Sequence, residues 1–99
     1  MTAYSSVRFK VKPGHEERFE QLFRSAPRDF EGLRRMALNK SPDGIYFTIG
    51  EWDSYDHMLG AMDGMKANLD VFRDTLEDQG PDLGVTDPIS GEAIFERLR

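Results

Sequence analysis

Trp52, the only tryptophan of the chain, ends the stretch Ile45-Tyr46-Phe47-Thr48-Ile49-Gly50-Glu51-Trp52-Asp53-Ser54, and His57 follows five residues later. An indole offers a broad flat surface and one N–H, suited to stacking a planar ligand, flanking bound oxygen, or filling a core or interface. A histidine with an ordinary pKa of about 6.5 exchanges protons near neutrality, and Asp56 and Glu51 lie near His57 in sequence. Trp52 and His57 are therefore the candidate catalytic residues. The plainer alternatives are a core tryptophan and a solvated helix histidine. Tyr46 and Thr48 carry hydroxyls on the same strand, and Met58 and Met62 carry flexible thioethers that adapt to varied ligands. These four are the candidate ligand-binding residues, although methionines at helical spacing also suit a core.

Several chemistries are missing. The chain has no cysteine, which removes disulfides, thiolate metal sites and cysteine nucleophiles together. Its two histidines, His15 and His57, have no metal-ligand spacing with each other or with a carboxylate, so no metal site is expected. Neither a glycine-rich phosphate loop nor a Gly-x-Ser-x-Gly elbow is present.

Ninety-nine residues with 38% hydrophobic and 11% aromatic content make one domain, residues 1–99, with a modest core. Residues 1–40 hold nine Lys and Arg against five Asp and Glu, and residues 41–99 hold four against thirteen, which gives the net charge of −5. An acidic chain without a dense basic stripe argues against nucleic acid, because phosphate neutralisation supplies most of that affinity. No apolar run reaches the roughly 20 residues that span a bilayer, so no membrane partner is expected. The N-terminus lacks the basic-then-apolar pattern of a signal peptide, and the expected location is cytoplasmic.

Periodicity supplies the elements that must position the candidates. Val7, Phe9 and Val11 alternate with polar neighbours, predicting a strand over residues 4–11 that Pro13-Gly14 stops. Phe19, Leu22, Phe23 and Ala26 form one apolar stripe, predicting a helix over residues 15–26 with acidic residues in its first turn. Strands over residues 33–40 and 45–52 flank the turn Ser41-Pro42-Asp43-Gly44 and pair antiparallel. Asp53 or Ser54 caps a second helical region, which Gly60 and Gly64 divide into helices over residues 55–62 and 65–78. A polar loop then leads to a last strand over residues 92–98.

The order β-α-β-β-α-β is that of a ferredoxin-like α+β domain, a four-stranded antiparallel sheet with its helices on one face. On the third strand the more uniformly apolar set, Ile45, Phe47, Ile49 and Glu51, is assigned mainly to the helix side. Tyr46, Thr48, Gly50 and Trp52 then face outward, where an open aromatic surface would pack on a second copy.

Three segments together resemble the antibiotic biosynthesis monooxygenase-type (ABM) domain, a dimeric α+β barrel family. They are Val11-Lys12-Pro13-Gly14-His15-Glu16-Glu17-Arg18-Phe19, Phe30-Glu31-Gly32-Leu33, and Ile49-Gly50-Glu51-Trp52-Asp53-Ser54. The resemblance covers residues 4–72 and the closing strand. It implies a homodimer whose sheets meet to form a barrel, a pocket between each sheet and its helices, and no metal or flavin cofactor. It also implies a cofactor-independent monooxygenase acting on small aromatic or quinol-type molecules, with Trp52 matching the strand-three tryptophan of such enzymes. Their asparagine four residues before it and tyrosine six residues after it are Thr48 and Met58 here. Haem-degrading relatives use an asparagine, a tryptophan and a histidine where this chain has Ser6 or Arg8, Ala61, and no histidine beyond His57. The alternative expectation is a non-catalytic dimeric barrel that binds a small hydrophobic ligand or acts as an accessory protein.

Overall fold

Short alternating segments and two amphipathic stripes assemble into one layered unit in the computed structural model, which describes residues 1–99. Strand β1 (Ala3–Phe9) runs into the turn at Pro13-Gly14 and then helix α1 (Glu16–Ser25). Glu16 and Glu17 occupy the first turn of α1, where negative charge suits the dipole, and Arg24 occupies the last. The Glu16 carboxylate also accepts from the Gly14 N–H at 2.8 Å. Strands β2 (Leu33–Lys40) and β3 (Tyr46–Trp52) form a hairpin. Its turn is closed by the Ser41 N–H on the Ile45 carbonyl at 2.8 Å and the Ile45 N–H on Ser41 Oγ at 3.0 Å. Gly44 supplies the positive φ of 83° that this turn requires.

Helix α2 (Tyr55–Gly60) begins at Ser54, whose Oγ accepts from the His57 N–H at 3.1 Å. Helix α3 (Met62–Phe72) follows and ends in a 3-10 turn (Arg73–Thr75). Strand β4 (Asp87–Glu92) completes an antiparallel sheet in the order β2-β3-β1-β4. This is the ferredoxin-like topology expected from the element order.

One face of the sheet holds the helices over a predominantly aromatic core. Phe9, Phe19, Phe23, Tyr46, Phe72 and Leu76 form the main cluster. Phe19 meets Phe72 edge to face at 5.3 Å and Tyr46 at 4.9 Å, the arrangement that ring quadrupoles favour. A second cluster of Ala3, Trp52, Met58 and Ala61 sits under α2.

Four expectations are corrected. The faces of β3 are reversed: Tyr46, Thr48, Gly50 and Trp52 face the helices, while Ile49 is 45% exposed on the open face. Their polar atoms find partners inside, so hydroxyls did not bar them from the core. The last strand lies over Asp87–Glu92, earlier than expected. β4 is an edge strand and so tolerates Pro88 and Gly91, whereas the alternating residues Ile94 and Leu98 stand 98% and 93% exposed beyond the sheet. Gly64 does not break a helix but lies within α3, where an added Cβ would come within 2.5 Å of the Phe30 ring. The helix also stops well short of residue 78, because Leu76 turns to extended backbone and bridges Val11, which lies outside β1.

Phe19 touches four core rings, those of Phe9, Phe23, Tyr46 and Phe72, and is fully buried. Phe19→Ala is expected to lower unfolding stability by about 3–5 kcal/mol, read from the urea midpoint at unchanged slope.

Candidate functional site

The indole of Trp52 is sealed. It is 0% exposed, packed among Ala3, Met58 and Ala61, with Phe30 stacked on it at 6.2 Å and 28°. Its Nε1–H donates to Ser5 Oγ at 3.0 Å. Gly50 makes room for that bond, since a Cβ there would lie 2.8 Å from Ser5 Oγ and 3.1 Å from Trp52 Nε1. Arg34 holds the strand end from outside, donating to the Trp52 carbonyl at 3.0 Å and pairing with Asp53 at 3.1 Å. Met58 is buried against the indole, whereas Met62 is 43% exposed and outside the cluster. Thr48 is also buried, and its Oγ1 accepts the Val7 N–H at 3.0 Å. The structure thus brings Trp52 and Met58 together in the core, where both are buried.

His57 occupies a different setting. Its Nδ1 lies 2.7 Å from Ser54 Oγ, and its ring packs on Gly32 so tightly that a Cβ at Gly32 would sit 2.4 Å from the imidazole Cγ. Gly32 also has a φ of 83°, and its carbonyl accepts the Asp53 N–H at 2.7 Å. The imidazole borders a shallow cleft of about 350 Å³ lined also by Asp29, Phe30, Glu31, Asp56, Gly60 and Ala61. Asp56 therefore accompanies His57 there. Glu51 does not, being held by Arg34 at 3.6 Å and by the Tyr4 hydroxyl at 3.4 Å. The cleft reaches Phe30 but not Trp52, so the buried indole does not join His57 there.

A larger groove of about 480 Å³ opens between α1 and the β2–β3 hairpin, and sequence reasoning missed it. Glu20, Phe23, Arg24, Arg28, Met36, Leu38, Asn39, Lys40 and Tyr46 line it. Of the four expected ligand contacts only Tyr46 borders a described cavity. Its hydroxyl donates to Glu20 Oε2 at 2.5 Å, and burial, then the bond to Glu20 and that carboxylate's charge, push the phenol up to about 12. Lys40 Nζ lies 5.2 Å from the Tyr46 ring centroid, and the Arg28 guanidinium lies 3.9 Å from that of Phe23. The signal that pointed here was the basic excess of residues 1–40, which by itself reads as a solvated surface. No cluster of three or more His, Asp or Glu side chains is placed to hold a metal ion.

A four-stranded antiparallel sheet in the order β2-β3-β1-β4, covered on one side by helices, makes this a ferredoxin-like α+β protein. Residues 3–66 match the model of the ABM family, described as antibiotic biosynthesis monooxygenase, and the chain belongs to that family. Among solved structures, a dimeric ferredoxin-like protein from an uncultured marine organism superimposes with a TM-score of 0.77 at 12% identity, over 99% of this chain and 92% of that one. A Deinococcus radiodurans protein provisionally described as an antibiotic biosynthesis monooxygenase gives 0.75 at 16% identity, over 98% and 96% of the two chains. A Mycobacterium tuberculosis protein gives 0.74 at 16%, over 99% and 100%. At these identities the likeness is one of fold. No curated protein matches the sequence.

The elevated Tyr46 pKa fixes the sign of an alkaline effect. Between the ordinary value of 10.0 and about 12 the folded phenol keeps its proton while the unfolded one loses it, so stability is whole below pH 10 and falls through that window. Urea titrations at pH 9 and pH 11.5 are expected to show a smaller alkaline loss for Tyr46→Phe than for the unaltered chain.

Proposed function

We propose that this chain, acting as the single domain 1–99, forms a homodimeric barrel that binds a small aromatic or hydrophobic molecule without oxygenase chemistry at Trp52. The observation that carries this reading is the state of the tryptophan: its face is covered, its N–H is committed to Ser5, and the neighbouring position 58 holds a buried methionine. A reacting phenol and oxygen need an open surface beside the group that positions them. None exists there. The groove under α1, with Met36 and Leu38 in its lining, is the larger of the two described spaces for a ligand.

The second reading, a cofactor-independent monooxygenase acting on small aromatic or quinol-type molecules, draws support from family membership and from His57, whose imidazole is held by Ser54 at the rim of an open cleft. In such a reaction a base removes the substrate's phenolic proton and the resulting anion reduces oxygen itself, so His57 would be the base. Oxygen uptake with hydroquinones and anthrones decides between the two. The expected result is no turnover above that of Trp52→Phe or His57→Ala. Turnover that either substitution abolishes establishes the enzyme.

The dimer rests on the open sheet face. Ile49 of β3 and Ile89 of β4 are 45% and 75% exposed on either side of β1, and Phe47 and Tyr4 lie on the same face. The marine ferredoxin-like structure is described as dimeric, which supports the same assembly here. Light scattering at micromolar concentration is expected to give about twice the chain mass of 11.3 kDa. A monomer that persists at such concentrations overturns the barrel, and Ile49→Glu is expected to produce one.

A further inference from the structure

The groove under α1 holds more positive charge than its own side chains neutralise, in a chain whose net charge is −5. Arg24, Arg28 and Lys40 line it against one carboxylate, Glu20. That carboxylate is already engaged, accepting the Tyr46 hydroxyl at 2.5 Å and lying 3.8 Å from Arg24 Nη2. Arg28 and Lys40 take part in no ion pair.

Arg28 is the informative member. After Pro27 the chain folds back over the end of α1, so that Arg28 Nη1 donates to the Phe23 carbonyl at 2.6 Å and the Ala26 carbonyl at 2.9 Å. Those bonds hold the guanidinium over the Phe23 ring. They leave its Nε and Nη2 donors without a protein partner, and that edge of a guanidinium is one that takes a carboxylate in two parallel hydrogen bonds. Withdrawing a charge from water with no counter-charge is unfavourable, and desolvation accordingly lowers the Arg28 pKa. An arginine nevertheless keeps its proton, so the deficit is one of negative charge.

Apart from Asn39, the rest of the lining is predominantly apolar. Met36 and Leu38, only partly buried, supply an apolar wall suited to a flat hydrocarbon body, with the buried Phe23 and Tyr46 rings behind it. A volume of about 480 Å³ accommodates one or two fused rings, at roughly 150 Å³ for a benzene-sized space. We propose that this groove binds a small aryl carboxylate, with the carboxylate on Arg28 and Lys40 and the ring against Met36 and Leu38. The assignment rests on the ligand-binding reading above and adds the chemical class of the ligand.

The test uses titration calorimetry of the full chain with 2-naphthoate and with 2-naphthalenemethanol, which has the same ring system and no charge. The naphthoate is expected to bind at least about tenfold more tightly at low salt, an advantage that shrinks as salt is raised. Arg28→Gln and Lys40→Gln are each expected to weaken naphthoate several-fold and leave the alcohol unchanged. Lys40 is exposed at the end of β2, so its variant keeps the test valid if loss of Arg28 unfolds the end of α1, which thermal melting reports. Equal affinity for both probes, or naphthoate binding indifferent to both substitutions, overturns the carboxylate assignment while leaving ligand binding in place. Failure of both probes to bind overturns the assignment and the groove reading together.

Discussion

The antiparallel register of β1 on β3, which sets Ala3 opposite Trp52 and Phe9 opposite Tyr46, places the rings of Phe9, Tyr46 and Trp52 on the helix side of the sheet. Side chains alternate with a period of two, so a slip of one residue would send every one of these rings to the other face. With this register, Phe9 and Tyr46 meet Phe19 and Phe72 of the helices, and Trp52 meets Met58 and Ala61. The packing of α1, α2 and α3 follows from it. So does the composition of the opposite face, where Ile49 and Ile89 remain uncovered.

The same register governs which cavities survive. Ser5 falls opposite Gly50, and the missing side chain at Gly50 lets the indole N–H reach the serine hydroxyl. A buried N–H left unpaired would be unfavourable by roughly 1–3 kcal/mol, so this bond anchors the indole where it lies. With Phe30 stacked on it and Gly64 allowing Phe30 close to α3, the space beside Trp52 is filled. Toward the other end of the sheet, Lys40 pairs with Tyr46 across the hairpin and α1 does not cover the strand edge. An open groove remains there.

Much of this was legible in the sequence. Element order, the β2 boundaries, the Ser54 cap and the hairpin turn all follow from local patterns, because each depends on residues within a few positions of one another. The faces of β3 do not. Counting apolar residues favours Ile45, Phe47 and Ile49 as the inner set, yet the gap between sheet and helices is filled by the larger rings of Tyr46 and Trp52, whose O–H and N–H find partners on distant segments. Tyr46 and Glu20 are 26 positions apart, and no local rule connects them. The last strand escaped for a related reason. Pro88 and Gly91 read as loop residues until the topology makes β4 an edge, where a missing N–H leaves no gap in the sheet. Trp52 was correctly seen as a strand-end marker of the fold, but its accessibility depended on Phe30 and Gly50, neither of which carries a signature of that role.

Arg28 shows how the site follows from the same physics as the fold. Proline at position 27 cannot continue α1, so the chain leaves in extended form and the next side chain can return over the helix end. There it donates to the Phe23 carbonyl, which accepts only a long 3.4 Å bond from the Ala26 N–H, and to the Ala26 carbonyl just past the helix, a structural role sufficient to hold it. That role uses one nitrogen of three. A lysine could satisfy the carbonyls equally well as a point charge, but only a guanidinium does so while keeping a second donor edge free. The fold therefore contributes the position of the cation, and the hairpin contributes Lys40 and the apolar wall opposite it. Neither element forms the groove alone, which is why it lies where α1 and the hairpin meet and not beside the tryptophan that marks the family.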